Sequence, residues 1–278
     1  MTNIIIRDIE GQRELRAVEE LQKKVWGIPD LDVVPLTQLV AAQAAGGVLL
    51  GAFDGDNLVG FVYGFVGYEH GRMTHHSHML AVRLDYRNFN LGQKLKMAQR
   101  ARALSQGINL MTWTFDPLQS LNAYFNFSKL GVFSDRYLIN FYGEDAASFL
   151  HQTGTDRLWV TWDLASSHFQ KKVDEKKLKE NFGQITPLVK VGVDEFPLSG
   201  DLDEELKGEH ALIEIPGNIN DLVKRNDGSA QKWRESTRRA FTEAIKRGFL
   251  VENFHRTNRG DQKFGVYSLS RRKIEDRE

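Results

Sequence analysis

The sequence predicts an α/β fold, in which a mixed twisted sheet is flanked by helices and followed by a smaller C-terminal α+β domain. Three observations support this prediction. Strand-like and helix-like segments alternate along the first 165 residues. Turn residues at 54–57 join two apolar runs, as in a β-hairpin. A strand, a helix and another strand follow between residues 75 and 115, which is the order of a parallel crossover.

Each element is expected from the spacing of apolar residues and from turn residues. Residues 3–9 form a strand-like run, and apolar residues recur at helical spacing from Leu15 to Val25. Pro35 suits the first position of a short helix that ends before Gly46. The other elements of this part are strands at 47–53, 57–67, 75–82, 108–115, 136–142 and 157–163, and helices at 91–106 and 120–131, the last ending at Gly131.

The chain is expected to divide into two domains, residues 1–165 and residues 166–278. The first part is rich in glycine and apolar residues, whereas the second is denser in charge. Residues 168–182 are polar almost all round, which is typical of a surface helix or a linker. The second domain is expected to contain a strand at 211–215, a helix from an N-cap at Ser229 to Gly248, and strands at 249–255 and 264–269.

Composition excludes several classes of function. Lys plus Arg and Asp plus Glu number 37 each in 278 residues, so the formal net charge is zero. General affinity for nucleic acid or for an anionic membrane is therefore not expected. The absence of cysteine excludes a thiol nucleophile, a cysteine-ligated metal and disulfides. Without a recognisable signal peptide or a run of about 20 apolar residues, a cytoplasmic protein is expected.

The junction between the strand at 75–82 and the following helix carries the clearest chemical signal. A helix N-terminus presents unpaired N–H groups and a partial positive charge, which together bind phosphate. Gly92 allows close approach of the backbone, Asn90 tolerates a positive φ, and Arg87 adds charge. From the residues alone, an anion site and an ordinary loop with an exposed arginine both remain open.

This segment resembles the acyl-CoA loop of the Gcn5-related N-acetyltransferase (GNAT) superfamily. That loop runs valine, four residues, then Arg/Gln-x-x-Gly-x-Gly/Ala, and here Val82 is followed by Arg87-Asn88-Phe89-Asn90-Leu91-Gly92. Asn90 replaces the first glycine of the pattern. The element order and the segment NAYFNFSKLGV (122–132) are also similar to the family. SHMLAV, TWTFDPLQSLNA and TDRLWVTW resemble one subgroup that has an extra C-terminal domain.

The resemblance implies that acetyl-CoA or another acyl-CoA is a co-substrate. No metal is expected, because no clear carboxylate motif completes a coordination shell around the histidines at 75–78. The resemblance also implies that pantetheine pairs with the strand at 80–82, that amides of residues 88–93 hold the pyrophosphate, and that the thioester lies where this strand parts from the strand at 108–115. The cofactor-binding residues implied are Leu80, Ala81, Val82, Arg87, Asn88, Phe89, Asn90, Leu91, Gly92, Gln93, Ser120, Asn122 and Asn126. Ser120 and Asn122 have a helix-capping role as an alternative.

One departure concerns the acid that protonates the departing CoA thiolate. Many relatives have a tyrosine two residues before the lysine of the helix-four signature, and this chain has Phe127 there. Tyr124 lies one helical turn earlier on the same face and is the expected substitute. The alternative is that Tyr124 is half-buried and packs on Phe127.

Acyl transfer to an amine needs a base with a pKa near 7, and the segment THHSHML supplies three histidines. His78 is the preferred base, with a buried structural histidine as the alternative, and Glu69 is the second candidate. Strand alternation predicts that His76 and His78 share a face with Leu80 and Val82, whereas His75 faces away. A backbone N–H near 79–80 is expected to stabilise the oxyanion.

Two arginines and an aspartate elsewhere carry weaker signals. Arg234 and Arg238 lie four residues apart on one helix face, where they would either bind a substrate carboxylate or form a solvated basic face paired with Glu235 or neighbouring acids. Asp116 either begins the next helix or grips a substrate amine.

These observations together predict an acyl-CoA-dependent N-acyltransferase that moves an acetyl group directly to a small-molecule amine. The resemblance also implies a specific alternative, a succinyl-CoA-dependent N-succinyltransferase acting on amino acids, and His76, Arg83 or an arginine of the second domain would then hold the succinyl carboxylate. A non-catalytic acyl-CoA-binding regulatory module is a further alternative. If the protein is an oligomer, a homodimer is expected.

Overall fold

The computed structural model describes residues 4–143, 153–165 and 185–271. The chain forms two compact units. Unit 1 comprises residues 1–113, 147–150 and 163–165, and unit 2 comprises residues 114–146, 151–162 and 166–278. The predicted surface helix or linker at 168–182 lies outside the described residues. The domain boundary near residue 165 stays a prediction, because the two units divide by compactness and not by sequence order.

Unit 1 is built on a sheet with strand order β1-β2-β3-β4-β5. Its first four strands pair antiparallel, and β4 pairs with β5 in parallel. The predicted α/β fold with a mixed sheet is therefore confirmed. The strands are β1 (Ile4–Asp8), β2 (Val48–Asp54), β3 (Asn57–Glu69), β4 (Arg72–Val82) and β5 (Leu110–Phe115).

Helices cover both faces of this sheet. They are α1 (Gly11–Trp26), α2 (Leu36–Ala44) and α3 (Leu91–Ser105). The stripe of α1 and Leu39 of α2 pack with Phe61 and Ala81 in one core, whereas Leu91 and Leu95 of α3 pack with Val62 and Val82 in the other. The sequence predicted Pro35 as the first residue of α2. In the structure Pro35 is instead the N-cap residue, and the helix begins at Leu36.

A β-bulge in β4 overturns the predicted alternation of faces. Tyr63 lies opposite Met79, and Phe65 lies opposite His76. A step of two residues along β3 therefore corresponds to a step of three residues along β4. The extra residue lies at 77–78 and shifts every later side chain to the other face. The expectation that His76 and His78 share a face with Leu80 is therefore wrong.

Unit 2 contains a second run of strands with the order β7-β6-β11-β12-β10-β8-β9. All described pairs in this run are antiparallel except β8 with β10. The strands are β6 (Phe133–Leu138), β7 (Arg157–Asp163), β8 (Val189–Val191), β9 (Pro197–Ser199), β10 (His210–Pro216), β11 (Phe249–Arg259) and β12 (Gln262–Arg271). The helices are α4 (Ser120–Ala123), which continues as a π-helical turn (Tyr124–Leu130), α5 (Leu202–Glu205), α6 (Ile219–Arg225) and α7 (Ser229–Lys246).

The longest helix of unit 2 begins where the sequence predicts, but with a different cap. Gly228 is the N-cap residue of α7, and the carboxylate of Asp227 accepts a hydrogen bond from the Ser229 N–H. The sequence does not predict β8, β9, α5 or α6, which are three to seven residues long. Within the described part of the chain, no helix is long and apolar enough to cross a membrane.

Candidate functional site

The junction between β4 and α3 presents unpaired amides. Leu84–Phe89 form a short 3₁₀ helix, Asn90 adopts a left-handed conformation with φ of 56°, and α3 begins at Leu91. The first helical hydrogen bond runs from the Lys94 N–H to the Asn90 carbonyl, at 3.1 Å. No side chain caps this helix. The N–H groups of residues 91–93 therefore point out of the helix end, where an anion is stabilised.

The side chains of this junction fall into two groups. Arg87, Asn88, Phe89 and Asn90 are exposed, whereas Gly92 and Gln93 are half-buried. Leu91 anchors the first turn because its side chain is fully buried against the sheet. The loop is therefore held from below while its polar side remains open to solvent.

β4 and β5 part shortly after they meet. Their parallel pairing joins His75 to Met111 and His76 to Thr112. β4 continues for six more residues to Val82 and keeps its pairing with β3 on its other side. Leu80, Ala81 and Val82 lie on this continuing segment, which the sequence identified as the pantetheine strand. A strand edge of this kind offers main-chain N–H and C=O groups to an extended ligand.

One face of the parting strands carries a chain of three polar side chains. The Thr112 hydroxyl donates a hydrogen bond to the Glu69 carboxylate at 3.2 Å, and His76 Nδ1 lies 3.2 Å from the same hydroxyl oxygen. A threonine hydroxyl has a single proton, and a carboxylate can only accept. Because that proton goes to Glu69, His76 Nδ1 must carry the proton of its own hydrogen bond. The neutral imidazole then has its basic lone pair on Nε2.

His78 lies beside this chain on the same face. Its ring is 6.3 Å from the His76 ring and 5.8 Å from the Phe65 ring, and the residue is exposed. Although the residue as a whole is exposed, neighbouring side chains desolvate its imidazole, and this lowers the pKa of His78 from its ordinary value. The ring is therefore neutral at pH 7 and able to accept a proton.

The opposite face of β4 carries a buried polar cluster. Lys96 Nζ donates to the Ser77 hydroxyl at 2.7 Å, and that hydroxyl donates to the Gln99 amide oxygen at 2.8 Å. The Gln99 amide nitrogen lies 3.1 Å from His75 Nε2. His75 is fully buried, and desolvation, with a smaller contribution from Lys96, lowers the pKa of its imidazole to about 4. Burial also holds the pKa of Lys96 well below its ordinary value.

In unit 2, the residues expected to contact CoA lie along α4 and the π-helical turn. The Ser120 hydroxyl is buried without a hydrogen-bond partner among the described residues, Asn122 is exposed, and Asn126 is buried. No side chain caps α4, so the capping alternative for Ser120 and Asn122 is not observed. A π-helical turn often marks a functional site.

Tyr124 and Phe127 have different surroundings within that turn. Phe127 is buried, and its ring contacts Phe115 and Tyr267 at centroid distances of 6.2 and 5.7 Å. Tyr124 is half-buried, and the Lys129 ammonium lies 5.5 Å from its ring centroid. The position of the family tyrosine is thus filled by an apolar core residue.

Arg234 and Arg238 in unit 2 hold the protein's own carboxylates. Arg234 is fully buried and donates to Asp116 at 2.8 Å, and Arg238 donates to both oxygens of buried Asp156 at 2.8 and 2.9 Å. The alternative of pairing with the protein's own acids is therefore observed, but Arg234 is buried and not on a solvated face. Asp116 also accepts the Leu118 N–H at 2.9 Å, which fits the alternative that it begins the next helix.

Sequence reasoning missed Thr112, Lys96 and Gln99. Thr112 has the pattern of an ordinary strand residue, and its signal is only its place opposite His76 once β4 and β5 are paired. Lys96 and Gln99 lie three residues apart on α3, and with Gly92 they mark a face that the leucine stripe does not cover. That face meets β4.

One family model matches the sequence. Residues 13–131 match the model of the acetyltransferase (GNAT) family. No curated protein sequence matches the chain. The match includes the junction from Val82 to Gly92 and the helix-four segment that ends at Gly131, so the resemblance stated from those motifs is confirmed.

Solved structures similar to this chain include several acetyltransferases. The ribosomal-protein-S18-alanine N-acetyltransferase from Escherichia coli is 13% identical with a TM-score of 0.47, covering 59% of this chain and 96% of its own. Aminoglycoside 6'-acetyltransferase type Ii is 20% identical with a TM-score of 0.46, and the match covers 59% of this chain and 98% of that one. A GNAT family acetyltransferase from Elizabethkingia anophelis with acetyl-CoA bound is 15% identical with a TM-score of 0.42, covering 59% and 99%. The likeness in sequence to the acetyltransferase (GNAT) family is thus carried by residues 13–131.

Proposed function

We propose that this protein is an acyl-CoA-dependent N-acyltransferase that moves an acetyl group directly from CoA to a small-molecule amine. One observation supports the proposal most strongly. β4 separates from β5 after His76, and the chain then leads from the end of β4 into the uncapped N-terminus of α3. The family description of residues 13–131 supports the transferred group and the donor.

Acyl-CoA binding is proposed at the two main-chain features of unit 1. The diphosphate lies on the N–H groups at the start of α3, with Arg87 adding a cation from the exposed loop. The pantetheine arm runs along Leu80, Ala81 and Val82 as an added strand. The resemblance also implies Ser120, Asn122 and Asn126 as cofactor-binding residues, and in unit 2 the buried Ser120 hydroxyl has no hydrogen-bond partner among the described residues.

The β4 bulge is proposed to stabilise the transition state. A bulge turns a backbone N–H out of the regular ladder, and bulges are enriched next to active sites. An N–H of residues 77–80 aimed at the thioester carbonyl would stabilise the oxyanion that forms when the amine attacks. No covalent enzyme intermediate is required, because the amine and the thioester meet directly.

His76 is the proposed general base. Glu69 and Thr112 fix its tautomer, so that the lone pair on Nε2 takes the proton of the attacking amine. Glu69, which the sequence analysis considered as a base, then acts as a positioning residue. His78 is the second candidate, because its imidazole is neutral at pH 7 and lies beside His76.

The proposed reaction has one alternative for the acyl group and the amine. Succinyl-CoA with an amino-acid acceptor is the specific alternative. Of the cations considered for the succinyl carboxylate, Arg83 already forms an ion pair with Asp85 at 2.6 Å. Comparison of kcat/KM for acetyl-CoA and succinyl-CoA against amines with and without a carboxylate decides between the two.

A non-catalytic acyl-CoA-binding module is a second candidate function. Buried Phe127 in the position of the family tyrosine favours it, because this side chain has no proton to donate. Calorimetric titration with CoA and acetyl-CoA, combined with a thiol-release assay over a panel of amines, separates the two functions. CoA release with at least one amine supports the enzyme, and tight binding without release from any amine supports the binding module.

Arg87→Ala is the matched variant for the binding site, and exposed Arg13→Ala on α1 is its control. Loss of one phosphate contact is expected to weaken acetyl-CoA binding on the order of tenfold, equivalent to about 1.4 kcal/mol. An unchanged affinity in Arg87→Ala would contradict the proposed phosphate site.

A further inference from the structure

Lys96 is a buried lysine at the point where β4 and β5 part. Its side chain rises from α3, and the residue is only 3% exposed. The Nζ atom lies 2.7 Å from the Ser77 hydroxyl of β4 and 3.6 Å from the centre of the Trp113 ring of β5. Ser77 and Trp113 each come one residue after the last paired position of their strand. Nζ therefore touches both strands at the start of their separation.

The partners of Lys96 leave it short of a strong acceptor. The Ser77 oxygen accepts one N–H, while the proton of that hydroxyl goes to Gln99. The other neighbours are the Met111 sulfur, at 4.0 Å, and the face of Trp113, which are weak acceptors. Within the described ranges, no carboxylate forms an ion pair with Lys96. An anion formed beside Nζ would be its strongest partner.

The proposed reaction produces such an anion. When the carbon–sulfur bond of the thioester breaks, sulfur takes the electron pair and becomes a thiolate that needs a proton. The family position for the acid holds Phe127, which is packed against Phe115 and Tyr267. The acid must therefore come from another side chain or from water.

We propose that the Lys96 ammonium is the general acid that protonates the departing CoA thiolate. This inference rests on the proposed function, because it requires the thioester to lie between the parted strands. The proton moves from Nζ to sulfur, the electron pair of the N–H bond stays on nitrogen, and neutral lysine and CoA thiol result. Solvent returns the proton to Lys96 after the products leave.

The surroundings of Lys96 suit this proton transfer. Burial, which lowers the pKa of the ammonium, makes it a stronger acid than an exposed lysine. After the transfer, the uncharged amine is the form that burial favours. His75 on β4 is the titratable neighbour, and with a pKa of about 4 it is neutral at pH 7 and does not compete as a donor. Ser77, Gln99, Met111 and Trp113 complete the surroundings.

The test is the titration of the thiol of CoA bound to the full chain, followed by the ultraviolet absorbance of the thiolate. A cation beside the sulfur lowers the pKa of the thiol by about 1–3 units. The bound thiol is therefore expected to titrate at least one unit lower in the wild type than in Lys96→Met. Lys96→Gln is expected to behave as Lys96→Met, since it keeps an N–H for Ser77 but lacks the charge.

Two further variants make the result specific. Lys94→Met removes the same charge from an exposed position on α3 and is expected to leave the thiol titration as in the wild type. Tyr124→Phe tests the acid expected from the sequence and is expected to change nothing. Coincident titrations of the wild type and Lys96→Met, or a shift that appears only in Tyr124→Phe, would overturn the inference.

Calorimetry on the same samples separates this inference from the proposed function. Absence of CoA binding by the folded wild type would defeat the proposed function and, with it, the inference. Binding of CoA with no effect of Lys96→Met on the thiol defeats only the inference. With an accepted amine in hand, Lys96→Met is expected to lower kcat by about 10²–10⁴-fold with a small change in KM for acetyl-CoA.

Discussion

The proton on His76 Nδ1 is fixed by two neighbours that the sequence does not place beside it. Thr112 comes from β5 and lies beside His76, and Glu69 comes from the end of β3 and acts on His76 only through the Thr112 hydroxyl. The sequence identified Glu69 and the histidine segment as candidates. It did not identify Thr112, because a threonine within a buried strand has no distinguishing pattern.

His76→Gln and His78→Gln distinguish the two candidate bases. Loss of the general base is expected to lower kcat by about 10²–10⁴-fold and to remove the acidic limb of its pH profile. We expect this outcome for His76→Gln and a smaller effect for His78→Gln, measured with any amine that supports turnover. The reverse order would transfer the role to His78.

Thr112→Val tests the positioning chain while conserving the size of the side chain. The variant removes the hydroxyl that links Glu69 to His76, so a fraction of the imidazole adopts the wrong tautomer. A lower kcat with an unchanged KM for acetyl-CoA is expected. A Thr112→Val enzyme with wild-type kcat and pH profile would show that the chain does not act on the base.

Buried His75 makes stability depend on pH. Its pKa is about 4 in the folded chain, below the ordinary value of 6.5, so the unfolded chain binds the proton more tightly. The contribution of His75 is fully present above pH 6.5 and is lost as the pH falls through about 4. The free energy of unfolding is expected to fall by about 3 kcal/mol from this group.

Denaturant unfolding at pH 7 and near pH 4 measures this loss, with His75→Gln as the comparison. The variant lacks the titrating ring, so its stability is expected to fall less over the same interval. Parallel losses in the wild type and in His75→Gln would contradict the assignment to His75.

At the scale of elements, the bulge in β4 requires a glycine on the neighbouring strand. A Cβ on Gly64 would lie 2.7 Å from the His76 carbonyl oxygen and would also meet the His75 ring and the Gln99 amide. Gly64→Ala is expected to destabilise the protein by about 1–3 kcal/mol through overpacking. Gly208→Ala is the control, because its Cβ would make only ordinary contacts. Thermal unfolding of both variants checks the prediction, and equal stability would contradict it.

The elements of unit 1 were largely predictable, and the bulge was not. Apolar spacing located all five strands and three helices of unit 1 to within a few residues, because each buries one face against a core. Alternation is a local rule, however, and one inserted residue reverses it without leaving a signal in the apolar pattern. Lys96 was missed for a related reason, since a lysine next to Leu95 reads as solvated until the helix is placed on the sheet.

For the molecule as a whole, the formal net charge is zero, so binding of a charged ligand depends on local features of the surface. General electrostatic attraction does not bring an anionic ligand to this protein. The proposed acyl-CoA site accordingly relies on oriented amides, a strand edge and single cations such as Arg87. The division into domains was less predictable than the elements, because compactness depends on contacts between segments far apart in sequence.

Hydrogen exchange of the full chain with and without acetyl-CoA tests the proposed binding site. Acetyl-CoA is expected to slow exchange at the amides of residues 80–82 and 88–93, which are the proposed contacts at the strand edge and at the start of α3. Bound acetyl-CoA that leaves both segments unchanged while protecting amides elsewhere would contradict it.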